Sequence, residues 1–250
     1  MFKKYIFKLI FRVSIFSFVL YMYLFNNELL RNVLSSHVNG ITPLHVVWLI
    51  LMIEMIIQIS PHSKISMGCL KQFRNKYTSP KNEYEDLELY KNIQKMNITA
   101  IKVLLSWLFF NAIIGILYLM EILDVQELLL ISMFYYVCDL ICVIIWCPFQ
   151  SLIMKNRCCV NCRIFNWGHF MMYTPMLFIR SFFSWSLFFM SILILIRWEI
   201  VYLKYPERFW EGSNESLKCI HCNDKMCKIK KPVLSNLIKE SDCIKTYDRT

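Results

Sequence analysis

The chain has 250 residues, of which 57% are hydrophobic and 18% charged, and its net charge is +10. Soluble domains of this length carry about 45–50% apolar and about 25% charged residues, so the composition argues against a water-soluble globule and for a helical membrane protein. The basic residues lie in loops and a tail without aromatic interleaving. They read as an orientation signal in a lipid bilayer, and no nucleic-acid partner is expected.

The first apolar run, 9–25, follows the basic start MFKKYIFK and precedes NNELLRN. No small-residue cleavage site follows it, so it reads as a retained anchor. The second run, 44–60, ends at Pro61. In the polar loop 61–99, Leu87, Tyr90 and Ile93 recur at helical spacing behind Asn82 and Glu85. That pattern predicts a short amphipathic helix over 80–96 that feeds the next span. The third and fourth runs are 100–120 and 128–147, the latter ended by Pro148. Each of the four approaches the roughly 20 apolar residues that a membrane crossing needs.

The fifth run, 170–203, is interrupted by Pro175 and Arg180. As one straight helix it would measure about 51 Å at 1.5 Å per residue, against a hydrocarbon core of about 30 Å. It is too long for one upright span and short for two. Charge favours two. Lys3, Lys4, Lys8 and Arg12 mark the start of the chain, and basic residues fill 61–99, 148–169 and the tail 204–250. The intervening segments 26–43 and 121–127 hold only Arg31 against several acids. Basic loops stay cytoplasmic, so the N-terminus, the Cys-rich loop 148–169 and the basic tail all belong inside. The tail can return there only if the chain turns back near 180–184, with Arg180 at the turn. The expected fold is all-α and multi-pass: four clear transmembrane spans plus a fifth and sixth paired as a hairpin, with one long helix as the alternative. The expected location is a plasma membrane, with both termini cytoplasmic.

Eleven cysteines are present. CCVNC supplies Cys158, Cys159 and Cys162, and CIHCNDKMC supplies Cys219, Cys222 and Cys227. Two-residue spacing lets a pair of thiolates reach one centre, and two such pairs make a tetrahedral zinc set. Cys159, Cys162, Cys219 and Cys222 are therefore the expected ligands, brought together by the hairpin as a structural clamp. Cys158, Cys227, His169 and His221 are second choices. The same cysteines could hold an iron–sulfur cluster, although neither ferredoxin spacing appears. They could also serve a membrane thiol–disulfide oxidoreductase if a thiol pKa is lowered.

Glu54 and Asp139 fall within the second and fourth runs. Ionisable groups at such depth face a partner or a wet cavity. Arg12, Lys102 and Arg180 are candidate partners. A small transporter using the two acids is one reading, and an ion pair between helices is the stronger one. The sequence holds no Walker A loop, G-x-S-x-G elbow or HExxH helix, so no reaction class is assigned.

Overall fold

The computed structural model describes residues 2–26, 28, 43–59, 72, 77–80, 84–156, 158–159 and 161–218. Every regular element among them is helical. The long elements are α1 (Phe2–Phe25), α2 (Pro43–Ile59), α3 (Asp86–Leu119), α4 (Val125–Ile144) and, after a short α5 (Gly168–Tyr173), α6 (Phe182–Lys204). Four of these, α1, α3, α4 and α6, are long and apolar enough to cross a membrane. The set differs from the four runs singled out by sequence. α2 is shorter, and α6 joins in its place. The stretches 80–96 and 100–120 do not form two helices: α3 is continuous from Asp86 to Leu119.

The helices have buried inner stripes and apolar outer faces. On α3 the buried positions are Ala100, Val103, Trp107, Asn111 and Gly115, one stripe at helical spacing. Ile101, Leu105, Phe109, Ile113 and Ile116 are exposed on its other faces. On α6 the small Ser184 and Ser191 point inward, while Phe182, Trp185, Phe189, Leu193 and Ile200 point out. Leu187, Phe188, Ile194 and Trp198 share that inner face of α6, so large side chains fill the contacts and the small residues allow local close approach between helices. Gly115 is an example: a Cβ there would run into the Phe178 ring.

α1 packs on α4 in the opposite direction. Tyr23 near the end of α1 donates to Glu127 Oε1 at 3.0 Å, at the start of α4. Tyr5 near the start of α1 sits with Leu140, Val143 and Ile144 near the end of α4. Asp124 and Glu127 close a capping box at the head of α4, with Glu127 Oε2 accepting from the Asp124 N–H at 2.7 Å. This satisfies backbone donors that a helix start leaves open.

The segment before α6 is irregular. It runs as a 3₁₀ turn (Phe165–Trp167), then α5, then a second 3₁₀ stretch (Thr174–Phe178). By the rises of 3₁₀ and α-helix it covers on the order of 25 Å. The chain reverses at Ile179–Ser181, and α6 returns alongside. Contacts step outward from that turn: Leu177 O accepts from Trp185 Nε1 at 3.2 Å, Phe170 stacks near Phe188, and Trp167 Nε1 donates to Glu199 Oε1 at 2.9 Å. Arg163 O accepts from Trp198 Nε1 at 2.6 Å. The two arms are thus antiparallel, with exposed Arg180 at the bend. Pro175 prevents a regular helix by removing a donor. The broken backbone is enclosed instead: Thr174, Pro175 and Met176 are buried, and Thr174 Oγ1 accepts from Trp107 Nε1 at 3.2 Å.

Candidate functional site

The described residues hold no metal clamp. Among the described residues, no three His, Cys, Asp or Glu side chains gather as a metal site. This overturns the expectation of zinc, and with it the iron–sulfur alternative. Cys219, Cys222, Cys227 and His221 lie outside the described residues. The physical reason is visible at the first pair. Cys159 packs with Tyr5, Leu140, Val143, Ile144 and Cys147. Cys162 packs in another cluster, with Val103, Met154, Ile164 and Trp198. The two thiols of this CxxC serve two different apolar clusters, so they do not converge on one centre.

The redox reading fails with it. Cys138, Cys142, Cys147, Cys158, Cys159 and Cys162 stand as thiols, with no disulfide among them. Burial pushes the Cys162 thiol up to about 12. A thiol-exchange centre needs the opposite shift. Cys158 is half-buried. His169 is buried on α5 with its Nε2 lacking a hydrogen-bond partner.

The Cys-rich loop and the start of the tail nevertheless meet, through polar and aromatic contacts. Asn161 Nδ2 donates to Leu217 O at 2.7 Å. The Trp198 and Tyr202 rings each meet Phe209 edge-on, with centroids 4.9 Å apart.

Glu54 and Asp139 come together around α1. Arg12 is only 4% exposed. Its Nη1 donates to Asp139 Oδ2 and to Tyr136 O, both at 2.8 Å. Its Nη2 lies 3.6 Å from Glu54 Oε1, which also accepts from Lys8 Nζ at 2.9 Å. Lys8 and Arg12 are one helical turn apart, so both reach the same side of α1. Two cations thus balance two carboxylates between α1, α2 and α4. Asp139 also rests against Gly168, where an added Cβ would strike its Oδ1. Both acids are engaged in pairs, and neither lines the cavity described next. The arrangement ties α1, α2 and α4 together.

A second buried arginine lies where α3 begins and α6 ends. Arg163 is 7% exposed. Its Nη2 donates to Glu199 Oε2 at 2.7 Å. Its guanidinium lies 4.1 Å from the centroid of the Tyr202 ring and 5.9 Å from that of Trp167. Nε and Nη1 donate to no acceptor. Arg163 borders a cavity of about 300 Å³. Lys95, Lys155, Asn156, Asn161, Trp210 and Glu211 also line it. Lys155 is held at φ 48°, in the left-handed region. A lysine seldom adopts that region, and such outliers collect at functional sites. The wall therefore carries three cations and one carboxylate, together with the Tyr202, Phe209 and Trp210 rings.

Sequence reasoning missed this site. It counts Arg163 and Lys95 only among the basic residues of 148–169 and 61–99, and it gives Glu199 no part in a site. A signal was available in Arg163 and Glu199 together, a basic and an acidic residue at matching distances from the expected turn. The chain matches no family model, no curated protein and no solved structure.

Proposed function

We propose that this chain is an integral membrane protein that binds an anionic ligand at the Arg163 cavity. The helices α1, α2, α3 and α4 cross the bilayer, and the antiparallel pair 165–178 and 182–204 forms a further hairpin. The basic start, the Cys-rich loop and the tail share the cytoplasmic face, and the cavity opens there. Basic flanking residues support that orientation, and the direction of each helix is compatible with it. Lipid and a plasma membrane are the proposed surroundings.

One observation carries the ligand reading. The exposed Lys95 and Lys155 share a cavity lining with a buried guanidinium that uses one nitrogen for Glu199 and keeps two without an acceptor, sealed within the wall, so an anion meets the lysines first and reaches those nitrogens only as the wall yields. Buried donors ordinarily find acceptors, and guanidinium with ammonium groups is the set that recognises phosphate or carboxylate. Charge-assisted hydrogen bonds supply the affinity, and the Tyr202, Phe209 and Trp210 rings exclude water.

The test uses protein purified in an uncharged detergent. Glycerol 3-phosphate, against glycerol at matched ionic strength, raises the melting temperature of the native chain. Arg163→Gln loses most of that rise. No stabilisation by glycerol 3-phosphate at tens of millimolar refutes the reading.

A further inference from the structure

We infer that the anion held at the Arg163 cavity is the phosphate of an anionic glycerophospholipid from the adjoining leaflet. The inference rests on the anion-binding reading above and names the class of its ligand. Three observations point the same way.

The first is depth. Counting back from Leu119, α3 rises about 30 Å by Ala100 at 1.5 Å per residue, which is the thickness of the hydrocarbon core. Lys95 lies more than one turn further out. That places it at the level of lipid headgroups, since the bilayer with its polar layers spans about 40–45 Å. Trp210, Phe209 and Tyr202 line the same cavity, and aromatic residues settle at this level because they are apolar with a polar edge.

The second is size. About 300 Å³ is the lower end of the range for ligand sites. It suits a phosphate with a small polar alcohol and cannot hold two acyl chains. Chains would have to lie outside. On α3, Ile98 stands one turn from Lys95, and Ile101 and Leu105 continue inward; all three are exposed. An apolar strip thus leads from the cavity along the lipid-facing flank.

The third is charge. Lys95, Lys155 and Arg163 face Glu211 alone in the lining, while Glu199 behind Arg163 offsets part of the excess. A zwitterionic headgroup would bring its own ammonium against the two lysines. A headgroup with net negative charge has no such repulsion, so the site discriminates by the group beyond the phosphate.

The experiment reconstitutes the full chain in nanodiscs of four parts phosphatidylcholine to one part phosphatidylglycerol. Native mass spectrometry then counts lipids retained after mild activation, beside Arg163→Gln and Lys95→Gln/Lys155→Gln. The double variant touches exposed side chains, so it remains informative if Arg163→Gln folds poorly. Expected is one phosphatidylglycerol per chain, with the retained phosphatidylglycerol-to-phosphatidylcholine ratio about tenfold above that of the nanodisc, and with that enrichment falling at least threefold in the double variant. Equal retention of the two lipids overturns the inference. So does enrichment that neither variant reduces, because a non-specific lipid shell would give that result. If glycerol 3-phosphate still stabilises the protein in those cases, the anion site stands and only its lipid identity falls. If neither probe binds, both readings fall.

Discussion

Two buried arginines sit in this molecule in nearly equal seclusion, and they are partnered in opposite ways. Arg12 is 4% exposed and Arg163 is 7% exposed. Arg12 is surrounded: Asp139, Glu54 and the Tyr136 carbonyl take up its nitrogens, and Lys8 completes a neutral group of four. Arg163 has one carboxylate partner, two aromatic rings and two nitrogens without an acceptor. Arg12 lies between helices, while Arg163 borders an open cavity. Burial alone therefore says little about what a charge does. What matters is how much of its hydrogen-bonding capacity the protein itself consumes. On the reading proposed above, a saturated cation is a fastener and an unsaturated one beside a cavity is a binding group.

Breaking the fastener is the strongest test of that contrast. Arg12→Leu leaves Asp139 and Glu54 facing an apolar replacement, and removing one partner of a buried pair costs about 3–5 kcal/mol. The expected outcome is a large loss of folded protein in detergent, read by melting temperature and monodispersity. Arg12→Leu with Asp139→Leu recovers part of the loss, because no unpaired charge is left at that contact. A double variant as poor as the single one would remove the ion pair from the account.

Arg163→Gln sits next on the scale. It removes the charged bond to Glu199, and hydrogen bonds to charged groups contribute about 1.5–3 kcal/mol. Stability falls moderately while stabilisation by glycerol 3-phosphate disappears. Arg12→Leu instead lowers stability without abolishing the ligand shift in whatever fraction remains folded. A ligand shift lost equally in both variants would erase the distinction between the two arginines. Gly168→Ala sharpens the closed end further. Its methyl would press on Asp139 Oδ1, and overpacking costs about 1–3 kcal/mol. The same substitution leaves phosphate binding unchanged.

Cys162, next to Arg163, gives a pH test. Its folded pKa is raised to about 12 by burial, so the native state holds this proton longer than the unfolded chain. The associated stability is complete below the ordinary thiol value of 9.0 and is lost as pH rises from there toward 12. Native protein should lose melting temperature between pH 8 and pH 10 more steeply than Cys162→Ala. Parallel slopes would show that this thiol is not sealed. The smallest effect belongs to Lys95→Gln/Lys155→Gln, whose exposed side chains should change stability by no more than about 0.5 kcal/mol. Any appreciable change in melting temperature without ligand would mean the lysines help hold the fold.

Much of the architecture could be read from residue order. Apolar runs of membrane-crossing length are a local property, so the all-helical class follows from composition and periodicity. Pro175 and Arg180 interrupt 170–203, and the structure breaks that run at both places. The helix boundaries were less legible. Leu87, Tyr90 and Ile93 announce a helix, yet nothing local reveals that it continues without a break into 100–119. The cysteine spacing misled for a definite reason. CxxC permits convergence of two thiols but does not compel it, and here Cys159 and Cys162 fill separate apolar clusters.

By itself the sequence determined which segments are apolar helices, where charge is concentrated and that Glu54 and Asp139 would require partners. These follow from local hydropathy and from the high cost of an isolated charge among apolar groups. The tertiary structure alone decided who the partners are. Arg12 meets an acid 127 positions away, and Arg163 meets Glu199 only because the chain reverses at residues 179–181. Such contacts depend on helix packing and side-chain direction across the whole bundle. The saturation of one arginine and the openness of the other are set there, not in the order of residues around either one.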